Sequence, residues 1–145
     1  MPLLNYTTKI GADKSVAEIS KALARVGARR VMYEYDDTGS IVSLAFEIDM
    51  QGQPIAFRLP TDWRPVLKVL EGDAKVPRTL RTQDQALRVA WRITKDWVEA
   101  QVAYIETNIV TTAQVFLPYA VTSDGRSMYQ YVAENAQMLL GGGEK

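Results

Sequence analysis

The apolar residues change their spacing along the chain, and each change marks a new element. Val16, Ile19, Leu23 and Val26 recur every three or four positions, which predicts a helix with one apolar stripe. Ser15-Val16-Ala17-Glu18 has the form of a capping box at its start, and Gly27 is placed to end it. The period then falls to two. Val31, Tyr33 and Tyr35 alternate with polar positions, Asp36-Asp37-Thr38-Gly39-Ser40 reads as a turn, and Val42, Leu44, Phe46 and Ile48 continue on one face. Gln51-Gly52 predicts a two-residue hairpin turn before Ile55, Phe57 and Leu59. That turn sets Ile48 opposite Ile55, Phe46 opposite Phe57 and Leu44 opposite Leu59, whereas a one-residue slip would put apolar side chains on both faces. The other face carries Met32, Glu34, Ser43, Ala45, Glu47, Ala56 and Arg58.

Pro60 ends the third strand, and Thr61 is expected to cap a short helix bearing Trp63, Val66, Leu67 and Leu70. A loop over 71–82 follows. Thr82-Gln83-Asp84-Gln85 then caps a long helix to about Thr107, with Ala86, Ala90, Ile93, Trp97, Ala100 and Tyr104 as its stripe and Leu87 and Trp91 widening it. Thr111-Thr112-Ala113-Gln114 and Ser127-Met128-Tyr129-Gln130 repeat the capping pattern, predicting a short helical piece to Leu117 and a last helix from Met128 to Leu140. Gly141-Gly142-Gly143 begins a loose tail, and Tyr6–Ile10 is available as a fourth strand. The reading is a single α+β domain over 1–145. An α-β-β-β-α part (15–72) holds a three- to four-stranded antiparallel meander packed by helices, and a helical part (82–140) holds a long spine helix and two shorter ones.

Composition chiefly narrows the chemistry. With 145 residues, 47% of them hydrophobic and 23% charged, the chain can bury a core of its own. It has no Cys and no His, which removes thiol nucleophiles, disulfides, Cys-ligated clusters and the usual neutral-pH base and metal ligand. A Ser-His-Asp triad and a His-ligated zinc site are therefore impossible within it. No apolar run is long enough to span a membrane, and the N-terminus lacks signal-peptide character, so a cytoplasmic protein without a membrane partner is expected. The formal net charge is +0, yet Lys75, Arg78, Arg81, Arg88, Arg92 and Lys95 face only Asp84 within 75–95, a layout suited to an anion-binding face or to a solvated helix end.

Some segments carry a resemblance. Val89-Ala90-Trp91-Arg92-Ile93-Thr94-Lys95-Asp96-Trp97-Val98-Glu99-Ala100-Gln101, then Val115-Phe116-Leu117-Pro118-Tyr119, with Asn5–Lys9, Gly27–Met32 and Phe57–Pro60, resemble a family of small uncharacterised proteins of tailed bacteriophages and prophages. The resemblance covers most of the chain, least so loop 71–82. It implies a phage context, hence the host cytoplasm, and brings no catalytic residues with it. The α-β-β-β-α order is also that of double-stranded-RNA-binding domains, but Arg64 and Lys68 are thin as a basic cluster at the second helix.

The candidate sites are basic. Arg88, Arg92 and Lys95 lie on successive turns of the long helix, where Arg92 and Lys95 could clamp phosphates while Trp91 stacks a base; the same spacing also suits salt bridges Arg92–Asp96 and Lys95–Glu99 around core tryptophans. Arg29, Arg30, Arg58, Arg64 and Lys68 form a second cluster around the sheet. Glu47 and Asp49, with Glu34 nearby, are the only metal option, and no recognised metal loop surrounds them. Tyr119, Tyr129, Tyr131, Gln130 and Asn135 gather late in the chain as a pocket or dimer contact. The expectation is a non-catalytic, cofactor-free binding protein for an anionic small molecule or nucleic acid, acting for instance by sequestering a host nucleotide defence signal. The alternative is a protein–protein adaptor or inhibitor, as a homodimer or on a host protein, using the exposed sheet face or the C-terminal helices.

Overall fold

The computed structural model describes residues 2–141, so Gly142 and Gly143 of the expected tail lie outside the described residues. The elements follow as α1 (Ala12–Arg25), β1 (Arg30–Tyr35), β2 (Ile41–Met50), β3 (Gln53–Arg58), α2 (Trp63–Gly72), α3 (Gln83–Glu106), α4 (Thr112–Phe116) and α5 (Met128–Glu134), with short 3-10 turns at Arg78–Leu80, Leu117–Tyr119 and Ala136–Leu139. This is an α+β fold on a three-stranded antiparallel sheet of order β1-β2-β3. Tyr6 to Ile10 form no strand; a turn occupies Leu4 to Thr7, and the carbonyls of Tyr6 and Thr8 accept from the Gln85 side chain at 2.9 and 3.0 Å. Those carbonyls are therefore committed to a helix side chain, which leaves no sheet ladder for them to join.

The hairpin register is the predicted one. Phe46 pairs with Phe57 and Ile48 with Ile55, and the Leu59 amide continues it by donating to the Leu44 carbonyl at 3.0 Å. Gln51 and Gly52 both have positive φ, 53° and 83°, which makes the turn the mirror-image form whose twist matches the strands. A Cβ on Gly52 would meet nothing within 4 Å, so the cost of Gly52→Ala is conformational alone. Urea unfolding should show Gly52→Ala less stable by about 1 kcal/mol, and Gln51→Asn slightly more stable because Asn tolerates this region better.

At its other end β2 departs from strict alternation. The β1–β2 register shifts between Glu34 and Tyr35, Tyr35 pairing with Ile41, so one residue of β2 is extra. Ile41 enters the core at 8% exposure and Val42, expected there, is only half-buried. Beside the bulge, the Ile41 carbonyl accepts from the indole Nε1–H of Trp91 at 2.8 Å.

The main core gathers Val16, Ile19, Leu23, Leu44, Phe46, Phe57, Trp91, Val98, Val102 and Phe116 between α1, the sheet and α3. Phe46 stacks on Phe57 with centroids 5.3 Å apart, and Phe116 meets Phe46 edge-on at 5.2 Å. A second cluster, Leu70, Val76 and Ala86 with Tyr6, Trp63, Val66 and Leu67 around it, lies between α2, the first turns of α3 and the N-terminal segment. The 24-residue α3 thus serves two cores along roughly 36 Å of length. This corrects its expected stripe: Val89, Val98 and Val102 are buried, whereas Tyr104 is 54% exposed.

Helix punctuation is partly as read. Thr111 and Ser127 make complete capping boxes with Gln114 and Gln130. Thr82 caps α3 through the Gln85 amide, and Asp62 rather than Thr61 caps α2, its side chain accepting from the Arg64 amide. Ser15 and Glu18 are not a cap. Helix α1 starts at Ala12, so both lie inside it and face α3. The expected helix to Leu140 breaks at Asn135, whose side-chain amide donates to the Tyr131 carbonyl at 2.8 Å and competes with the backbone.

Candidate functional site: a groove beside the third strand

The outer edge of β3 is closed by the chain that follows α4. The Val121 amide donates to the Ala56 carbonyl at 2.8 Å, and Phe57 bridges Ala120. Val121 then bridges Ser127, with Thr122 N–H to Arg126 O at 2.7 Å and Gly125, at φ 88°, forming the tip. The turn returns to Ser127, which caps α5. A groove of about 560 Å³ lies between this loop and the end of β3, lined by Arg58, Leu59 and Pro60, by Pro118, Tyr119 and Val121, and by Tyr129 and Gln130. A shallower recess of about 220 Å³, lined by Pro60, Ile93, Thr94, Trp97 and Tyr119, adjoins it across Pro60 and Tyr119.

The walls are rigid for identifiable reasons. Tyr119 packs edge-on against Trp97 at 5.8 Å, and Trp97 against Phe116 at 5.7 Å, so this part of the lining is tied to the main core. Pro60 and Pro118 restrict the backbone on either side. Tyr129, by contrast, is 66% exposed and presents its ring to whatever enters. Gln130 has its carbonyl oxygen occupied by the Ser127 amide at 2.9 Å, which leaves its NH₂ to donate. Arg58 is exposed at the groove mouth and has no side-chain hydrogen bond or ion pair among the described residues.

The structure disperses the basic residues expected to act together. Trp91 is fully buried and hydrogen-bonded to the sheet, so it has no face to offer a base. Arg92, with 11% of its side chain exposed, reaches not Asp96 but Glu18 at 2.6 Å and Ser15 at 3.2 Å. The hydrogen bond from Arg92 holds the Glu18 carboxyl below the ordinary glutamate value. Lys95 lies 2.8 Å from Glu99, the helix pair expected of it, and 3.7 Å from Asp96. Arg88 donates to Gln85 at 3.0 Å. These three cations bind their own fold, and a phosphate would have to displace those partners.

In the second cluster, Arg29 pairs with Asp49 at 2.8 Å and Arg30 with Glu47 at 3.0 Å. Arg64 folds back on Asp62 through two bonds of 3.0 Å, and that side-chain contact holds the Asp62 carboxyl below its ordinary range. Lys68 is exposed on α2 and lines none of these grooves. Arg58 alone of the nine expected site residues lines the groove. Because Glu47 and Asp49 are each engaged by an arginine, the carboxylate pair offered as a metal option is already neutralised, and no group of three such residues converges among the described ones.

Of the late aromatic and polar cluster, Tyr119, Tyr129 and Gln130 do meet in the groove. Tyr131 instead lies under Arg126, whose guanidinium sits 5.7 Å from the ring centroid and also pairs with Asp124 at 2.9 Å and with Glu134. What the sequence did not reveal is the junction of this cluster with Arg58, since it depends on the bridge between β3 and Ala120. Among the described residues, no helix is long and apolar enough to cross a membrane. No protein-family model, no curated protein and no solved structure matches this chain.

Proposed function

We propose that this chain is a non-catalytic, phage-type binding protein whose groove takes a small anionic ligand with a planar ring, of the nucleotide class. The supporting observation is the meeting of Arg58, which has no side-chain partner among the described residues, with the exposed ring of Tyr129 and the donor NH₂ of Gln130 in a groove of about 560 Å³. Arg58 suits a phosphate because its fork can donate two parallel bonds, and Tyr129 suits a base because stacking tolerates any ring. Sequestration of a host nucleotide signal is the biological role this chemistry would serve. A small ligand is favoured over nucleic acid because five of the expected basic residues are ion-paired within the fold, which leaves no continuous cationic track.

Calorimetry against mononucleotides, cyclic dinucleotides and short oligonucleotides tests the reading. A mono- or dinucleotide should bind with weak salt dependence, and Arg58→Ala should lower its affinity about tenfold or more, the worth of one or two hydrogen bonds to a charge. A steep loss of oligonucleotide affinity with salt would instead make nucleic acid the ligand. Absence of binding by every nucleotide at low salt would sink both. The adaptor reading would then stand; it is favoured by the apolar run Met138, Leu139 and Leu140, exposed at 59%, 73% and 74%.

A further inference from the structure

The two edges of the sheet are treated differently. The outer edge of β3 is covered by Ala120 and Val121, whereas β1 has a strand on one side only. Which of its backbone groups are left open follows from the register. The Leu59 amide donates to the Leu44 carbonyl, so the polar groups of Leu44 point toward β3. Alternation turns those of Ala45 toward β1, and Ala45 pairs with Met32. Arg30, Met32 and Glu34 therefore bond into the sheet, and Val31, Tyr33 and Tyr35 aim their N–H and C=O groups outward. Among the described residues none of these three makes a backbone bond outside the sheet.

An open edge is usually blunted by charge, bulge or proline. Here the charges are arranged to complement themselves. If a second β1 lies antiparallel with Met32 opposite Met32, Val31 and Tyr33 of one copy exchange hydrogen bonds with Tyr33 and Val31 of the other, as the outward-facing groups require. The same register sets Arg30, whose 72%-exposed side chain also pairs with Glu47 of its own copy, opposite Glu34 twice on one face, so that each guanidinium is shared between the two carboxylates. It also places Arg29 beside Tyr35 on the other, covering a ring that is 61% exposed. Met32, itself 50% exposed, becomes the two-fold centre. Shifting by one hydrogen-bonded step one way sets Arg30 against Met32 and loses both charge pairs; shifting the other way sets Glu34 against Met32 and Arg30 against Asp36, whose carboxylate is already held by Thr38 and Ser40.

We propose that β1 is a self-association edge, and that two copies of this chain join through it into one continuous six-stranded sheet, centred on Met32 with Arg30–Glu34 pairs on each side. The surface is separate from the groove at β3, so the two readings can fail independently. Sedimentation equilibrium of the wild-type chain should give a reversible dimer. Glu34→Arg and Arg30→Glu should each weaken it about tenfold or more, because each turns two attractive cross-strand pairs into repulsive ones. Mixed together, the two variants should pair again, since a heterodimer places Arg opposite Arg30→Glu and Glu34 opposite Arg30 at every contact. Amide hydrogen exchange gives a readout that needs no substitution: protection at Val31 and Tyr33 should rise with protein concentration, while that at Met32 and Glu34 should not. A chain that stays monomeric at millimolar concentration overturns the proposal, as does a dimer that both variants leave intact.

Discussion

Trp91→Ala is expected to remove roughly half or more of the stability of the fold. The indole is fully buried between α3 and the sheet and is the largest side chain in the core. Emptying such a site costs about 3–5 kcal/mol. The substitution also takes the indole donor from the Ile41 carbonyl beside the β2 bulge, and a buried acceptor that loses its donor adds about 1–3 kcal/mol. Set against a total stability of about 5–15 kcal/mol, the sum of about 4–8 kcal/mol removes roughly half of it or more. Trp91→Phe separates the two contributions: it keeps most of the volume and should lose about 2 kcal/mol, mainly the hydrogen bond. Urea denaturation followed by circular dichroism reads both. If Trp91→Ala proves nearly neutral while nucleotide affinity falls, the indole would be a ligand contact after all.

The elements that could be read from the sequence are those whose determinants are local. The Gln51-Gly52 hairpin has a turn residue, a period of two and three matched apolar pairs all pointing to one register, and that register is observed. Thr111 and Ser127 cap helices because their partners, Gln114 and Gln130, are three residues away. The Ser15–Glu18 motif failed through the same spacing. Residues three apart also share one face of a helix interior, and Arg92 from α3 uses that face. Sequence spacing does not distinguish a cap from a docking face when Gly11 can begin the helix one turn earlier.

The candidate site was legible only in halves. A late cluster of tyrosines and Gln130 was visible, and so was Arg58, but their meeting depends on the long-range bridge from Phe57 to Ala120. The basic face of α3 misled for a physical reason. Cations spaced along a helix serve equally to bind a ligand or to bind acids on neighbouring turns and helices, and Glu18 and Glu99 decide the matter here. Of the cations in 75–95, Arg92 fastens α3 to α1, Arg88 and Lys95 bond within α3, and Arg81 donates to the loop carbonyls of Val76 and Asp73.

That fastening supplies the second large effect. Arg92 joins α3 to α1 through Glu18 and Ser15, and the two partners differ in exposure: 11% of the arginine side chain is accessible against 35% of the glutamate. Removing either leaves a charge behind, and the cost depends on how easily water reaches it. Glu18→Gln keeps an oxygen for the Arg92 hydrogen bond but removes the counter-charge of the less accessible guanidinium and should destabilise by about 2 kcal/mol, whereas Arg92→Met leaves a carboxylate that can turn to solvent and should cost about half as much. The double substitution should fall well short of the sum, because neither charge remains to be compensated. Acid gives an independent test. Arg92 holds the Glu18 carboxyl below its ordinary value, so the folded state binds that proton less readily than the unfolded chain does. The contribution is complete above the ordinary glutamate range and is lost as pH falls through the lowered folded-state value. The stability gap between wild type and Glu18→Gln should therefore narrow on acidification and stay constant from neutral pH upward. A gap that stays constant through the acid range would mean that the pair contributes shape to the α1–α3 contact and no charge.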